Sequence, residues 1–182
     1  MSRRENVPAN HRVVLTAEQI HERVCELARQ ISNDFLGKVI HAVCVLENGF
    51  VFMADLMRLL DAEVICHFIR PDFTERGDTT EIFYSPEPMV QGADVLLVET
   101  LVDSGVTSEF LMRNVVARGA ATVKLVALLD RQAARRISLQ PDYFGFLVDA
   151  PFVFGYGLGT PQMERNLPYL ATAETKQMTS AG

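Results

Sequence analysis

The chain has 182 residues, enough for about one domain, and its 48% hydrophobic and 22% charged content excludes a mostly disordered polymer. Net charge is −6 and only Lys38, Lys124 and Lys176 are lysines, which argues against an extended nucleic-acid surface but not against one small anion held by backbone amides. Cys25, Cys44 and Cys66 lack CxxC or Cys/His spacing and read as buried, reduced thiols.

No apolar run approaches the roughly 18 residues of a membrane span. The basic start Met1-Ser2-Arg3-Arg4 leads into no apolar stretch, unlike a secretory signal. A cytoplasmic protein is expected.

Residues 1–14 lack periodicity and are expected to form a loose arm. Thr16-Ala17-Glu18-Gln19 is a capping box, and Ile20, Val24, Leu27 and Ile31 recur at helical spacing behind it. Val39 to Leu46 is a near-continuous apolar run and predicts a buried strand. Glu47-Asn48-Gly49 is turn chemistry, followed by a helix over Phe50 to Leu60 and a strand over Glu63 to Ile69. Residues 70–93 are long, polar and broken by proline and glycine, which suggests a functional flap with a hairpin near Thr80 to Tyr84.

A further buried strand is expected at Asp94 to Val98, a helix over Thr107 to Arg118 closed by Gly119, and a strand at Thr122 to Leu129. Two last strands are expected at Tyr143 to Leu147 and Phe152 to Tyr156. Strands alternating with helices predict a single-domain α/β fold, a mainly parallel sheet flanked by helices, over residues 15–172, with 173–182 as a tail.

Ligands of such sheets sit beyond the carboxyl ends of the strands. The richest loop there is Glu99-Thr100-Leu101-Val102-Asp103-Ser104-Gly105-Val106-Thr107. Gly105 permits a close turn, and the amides of Ser104 to Thr107 can converge on one anion at a helix N-terminus. The same residues would also make a merely well-capped helix. No lysine follows, so the loop is not a nucleotide P-loop.

VLLVETLVDSGVT resembles the PRPP-binding motif of phosphoribosyltransferases, PRPP being 5-phosphoribosyl diphosphate. ARGAATVKLVALLDR, QPDYFGF, FVFGYGLG and ERNLPYL follow in the order and spacing of the hypoxanthine-guanine phosphoribosyltransferases, and VCVLENGFVFMADL resembles their pyrophosphate loop and the helix after it. The resemblance covers roughly residues 12–170 and implies a type I phosphoribosyltransferase fold, a homodimer or homotetramer, and a Mg2+-assisted reaction. In that reaction a 6-oxopurine takes the ribose of PRPP and pyrophosphate leaves. Ligands would be PRPP with a purine base, or a purine nucleoside monophosphate.

By resemblance, Asp103 is the general base beside purine N7, and Asp103, Ser104, Gly105, Val106 and Thr107 form the 5′-phosphate cradle. Glu99, with Thr100 beside it, would contact the ribose hydroxyls, and Glu99 would also face the metal. Glu47, Asn48, Gly49 and Arg165 occupy the pyrophosphate positions. Phe152 would stack on the purine, Val153 would contribute a backbone contact, and Gln140 would reach the 6-substituent.

The departures cluster on the pyrophosphate side. Thr100 replaces the second acid, Gly159 an Asp near the metal, Glu47-Asn48 a Lys-Gly pair, Gln140 a Lys, and Pro71-Asp72-Phe73 falls where a Ser-Tyr pair closes the flap. An acid in place of a lysine exchanges an attraction of about 4 kcal/mol, for charges ~4 Å apart at an effective dielectric of ~20, for a repulsion. Two readings follow: a purine phosphoribosyltransferase, slow or with altered base choice, or a degenerate relative that binds a nucleotide or phosphorylated sugar in a regulatory role.

Overall fold

A computed structural model of the chain describes residues 11–73, 79–85, 89–159 and 164–173. The proposed arm before residue 11, the tail after Ala173 and two stretches of the flap lie outside these residues.

The main sheet has six strands in the order β4-β3-β2-β5-β6-β7. Its parallel part comprises β2 (Val39–Val45), β3 (Glu63–Phe73), β5 (Asp94–Val102), β6 (Thr122–Asp130) and β7 (Tyr143–Leu147). Strand β4 (Thr79–Ser85) adds antiparallel to β3 at one edge. That pairing carries β3 four residues beyond the Ile69 end expected from sequence, since Arg70 to Phe73 gain partners on β4. Strand β5 likewise continues past Val98, because Leu101 and Val102 pair with Leu129 and Asp130.

Helices cover both faces. Helix α1 (Ala17–Asp34) starts at the expected capping box, where Gln19 N–H donates to Thr16 Oγ1 over 3.2 Å and Thr16 N–H donates to Gln19 Oε1 over 2.9 Å. Its stripe of Ile20, Val24, Leu27, Ala28 and Ile31 joins Phe52, Met53 and Leu56 of α2 (Phe50–Met57) in one core cluster, on the sheet face that presents Ile40, Ala42, Leu96 and Val98. Helix α3 (Val106–Ala117) packs Leu111 and Val115 on the other face, against Val43, Val95, Leu97 and Leu125. Successive strand residues point to opposite faces, so near-continuous apolar runs are what a sheet covered on both sides requires.

Three sequence expectations need correction. Residues 11–14 are not loose: β1 (His11–Leu15) pairs antiparallel with β8 (Leu170–Ala173), joining the two ends of the domain. Residues 152–156 are not a strand, because Gly155 (φ 95°) and Tyr156 (φ 47°) turn the chain after a single bridge from Phe154 to Ala171. A Cβ at Gly155 would stand 2.0 Å from the Tyr169 carbonyl, so that turn requires glycine. Of the three free thiols only Cys44 is fully buried; burial, with Cys66 adding a little, pushes it up to about 12.

Candidate active site at the carboxyl ends of three parallel strands

Strands β2, β5 and β6 are neighbours and run in the same direction, so the residues leaving their carboxyl ends meet. From β2 come Glu47, Asn48 and Gly49; from β5 come Glu99, Thr100 and the Asp103–Thr107 loop; from β6 comes Arg131. A cavity of about 180 Å³ opens between the first two, lined by Asn48, Glu99, Thr100, Asp103, Ser104, Gly105 and Thr107, with Pro71 of β3 at its side.

The cradle is built by Gly105, whose φ of 83° turns the chain into α3. A Cβ there would meet Arg135 Cδ and Nη1 and Ile137 Cγ1, each at 3.1 Å, so any other residue would be strained at this φ and would press these side chains aside. The same segment holds the loop from its backbone, since Arg136 N–H donates to the Ser104 carbonyl over 3.0 Å. The amides of the first helical turn have no intrahelical acceptors, and this positive end of α3 lies at the cavity wall. Val106 is half-exposed, and its amide faces the Ser104 hydroxyl at 3.3 Å.

Glu99 and Thr100 are adjacent on β5 and therefore diverge. Glu99 lies on the α3 side, is only 7% exposed, and its Oε1 has no hydrogen-bond partner. Burial pushes its carboxyl up to about 7, with the Ser108 hydroxyl and the Arg135 charge drawing it partly back. Thr100 lies on the α2 side, buried, and donates its hydroxyl to the Asn48 carbonyl over 2.7 Å.

Asp103 is exposed, and Arg131 Nη1 lies 3.3 Å from its Oδ2. Arg131 is otherwise buried, and its Nε has no protein partner. Beneath it, Asp130 is ion-paired with Arg135 and accepts from Gln132 Nε2 over 3.1 Å. Arg131 is the functional candidate that sequence reasoning missed. The only signal in the sequence is a basic residue directly after a buried strand.

On the β2 side, Gly49 opens α2 where a Cβ would stand 2.7 Å from the Val45 carbonyl. The exposed Glu47 does not point away from the site: its Oε2 is 3.6 Å from Arg165 Nη2. Arg165 Nη1 also donates to Asn48 Oδ1 over 2.6 Å and to the Gly157 carbonyl over 2.8 Å. The pyrophosphate candidates Glu47, Asn48 and Arg165 therefore form one cluster.

The base candidates are placed apart from the cavity wall. Phe152 is 48% exposed, 6.0 Å from the Phe154 ring, while Val153 is buried. Neither Gln140, exposed on the connection into β7, nor Arg131, beside Asp103, lines the cavity. A larger hollow of about 440 Å³ between α1, α2 and residues 165–168 includes Arg165 but no residue of the Asp103–Thr107 loop.

Among the described residues no three His, Cys, Asp or Glu are grouped to hold a metal, and no helix is long and apolar enough to cross a membrane.

The family model for the phosphoribosyl transferase domain matches residues 14–159. The hypoxanthine-guanine phosphoribosyltransferase of Bacillus subtilis is 32% identical over 165 residues, covering 87% of this chain and 91% of that protein. The bifunctional protein TilS/HprT of Listeria innocua is 34% identical over 165 residues, and there the match covers 87% of this chain but only 25% of the longer protein. A crystal structure of a hypoxanthine-guanine phosphoribosyltransferase from Bacillus anthracis superposes with a TM-score of 0.84 at 32% identity, covering 92% of this chain and 100% of that one. With the matched domain spanning the parallel sheet and the loops at its carboxyl end, the chain belongs to the phosphoribosyltransferase family.

Proposed function

We propose that the protein transfers the phosphoribosyl group of PRPP to a 6-oxopurine, hypoxanthine or guanine, and releases pyrophosphate. The observation that carries this reading is the Asp103–Thr107 loop, which turns from β5 into the N-terminus of α3 at the wall of the cavity that Glu99 and Asn48 also line. Relatives named for this reaction are 32% identical over nearly their whole length.

The 5′-phosphate sits on the amides and hydroxyls of Ser104 to Thr107, at the positive end of α3. Glu99 faces the ribose hydroxyls. The Asp103 carboxylate takes the proton that the purine imidazole releases as its nitrogen bonds to the ribose C1′ and the bond from C1′ to pyrophosphate breaks. Gln140, exposed on the connection into β7, reaches the 6-substituent of the base, and Arg131 holds the Asp103 carboxylate through Nη1 at 3.3 Å. Phe152 supplies an exposed ring for stacking, and Val153 a backbone contact. Arg165 and the Glu47–Gly49 loop receive the departing pyrophosphate.

The chain's own donors for a divalent cation are few, chiefly the buried Glu99 with its unpartnered Oε1. That set fits Mg2+ carried in on the diphosphate with most of its waters, a mode in which one or two carboxylates suffice. Glu99 would hold the ion from the protein side, and the ion would supply charge neutralisation at the leaving pyrophosphate.

The proposal extends to a cytoplasmic homodimer or homotetramer. Light scattering that returned only monomer would overturn the oligomeric part. Calorimetric titration tests the site: GMP and IMP bind with the cradle intact, and PRPP binds more tightly when Mg2+ is added. Binding of neither nucleotides nor PRPP would refute the assignment of the cradle.

A further inference from the structure

We infer that Thr100 is a positioning residue for the pyrophosphate side of the site, acting through the main chain of Asn48 rather than by touching the substrate. The inference rests on the transfer reaction proposed above.

Three separate segments converge on Asn48. The Thr100 hydroxyl donates to its carbonyl over 2.7 Å. Gly157 packs against the same carbonyl so closely that a Cβ there would stand 2.7 Å from the oxygen. Arg165 binds the Asn48 side chain at 2.6 Å and the Gly157 carbonyl at 2.8 Å, with Glu47 3.6 Å away. Asn48 and Glu47 are exposed, whereas Thr100 is buried on a central strand. The rigid partner is therefore Thr100, and the element being held is the loop.

A threonine suits this place and an acid does not. Asn48 presents a carbonyl oxygen, which needs a donor, and an ionised carboxylate offers only acceptors. Thr100 thus exchanges a negative charge at the ribose for a fixed link between β5 and the loop after β2. The link sets where Arg165 and the Gly49 amide stand before the diphosphate arrives, and that amide itself donates back to the Val45 carbonyl over 2.9 Å.

The test compares Thr100→Val, which keeps shape but not the hydroxyl, with Thr100→Ser, which keeps the hydroxyl, and Thr100→Asp. Hydrogen exchange is followed in a peptide spanning residues 45–53, and initial rates give KM for PRPP and for the purine separately. Thr100→Val and Thr100→Asp are expected to exchange about fivefold faster in this peptide, the factor expected from one net hydrogen bond. They should raise KM for PRPP by a similar factor and leave KM for the purine unchanged; Thr100→Ser should match the wild type in both. Wild-type exchange in Thr100→Val, or an equal rise in both KM values, would overturn the inference. If the valine variant does not fold, Thr100→Ala replaces it with the same expected direction. Should the wild type transfer nothing to any 6-oxopurine, the proposed reaction fails, and the exchange comparison still decides whether Thr100 holds the loop.

Discussion

Replacing Glu99 by glutamine should stabilise the protein at pH 8 and leave it nearly unchanged at pH 5. Glu99 is buried, one of its oxygens has no partner, and its carboxyl is pushed from 4.5 up to about 7. A raised carboxyl pKa means that the folded state holds the proton more tightly than the unfolded chain does. Below the unfolded value both states are protonated and no penalty exists. As pH rises from about 4.5 to about 7 the unfolded chain gains a solvated charge that the fold resists, so stability falls; above about 7 the loss is complete. At about 1.4 kcal/mol for each tenfold difference in proton affinity, the full penalty is about 3 kcal/mol. Glutamine is close to isosteric with the protonated side chain and carries no charge. Urea unfolding of wild type and Glu99→Gln, in buffer with chelator, should therefore show a difference below about 1 kcal/mol at pH 5 and about 3 kcal/mol at pH 8. An equal difference at both pH values would refute a buried, proton-retaining Glu99.

Three other outcomes are expected. Asp103→Asn should lower kcat by about 10²–10⁴ while GMP affinity changes little, which steady-state rates and calorimetry can separate. Gly105→Ala should destabilise the fold by at least about 1–2 kcal/mol in denaturant melts, since alanine at φ 83° is strained and its Cβ presses on Arg135. Glu47→Gln should release Arg165 from a solvent-exposed ion pair and tighten pyrophosphate binding by about two- to fivefold, an effect that shrinks with added salt.

The sequence made local features legible and distant ones opaque. The capping box at Thr16, the apolar stripe of α1, the parallel strands and the glycine turn into α3 at Asp103 to Thr107 are each written within a few consecutive residues, so period and turn chemistry reveal them. Pairing of β1 with β8 joins residues at opposite ends of the chain, and neither segment has a period of its own that announces a partner. The Phe152 to Tyr156 stretch carries strand-forming residues, but Gly155 must clear the Tyr169 carbonyl and the chain turns instead. Within the site, Thr100 is a visible departure from the family pattern, yet its bond to the Asn48 carbonyl spans 52 positions and appears only when β2 and β5 lie side by side. Arg131 was hidden for a similar reason. One more arginine after a buried strand gains meaning only once β6 sets it 3.3 Å from Asp103.

The same geometry changes the weight of the departures. Glu47 faces Arg165 in this structure, and Thr100 and Asn48 form a link of their own. The proposed pyrophosphate side thus carries contacts of its own rather than being left empty of them.

Incubating the purified protein with PRPP, Mg2+ and either hypoxanthine or guanine, and following nucleotide by mass spectrometry together with pyrophosphate release, tests the central claim most directly. IMP or GMP should form in equal amount to pyrophosphate, with the signal lost in Asp103→Asn. No nucleotide from any 6-oxopurine, in a preparation that still binds GMP, would contradict it and leave a nucleotide-binding member of the family without the transfer chemistry.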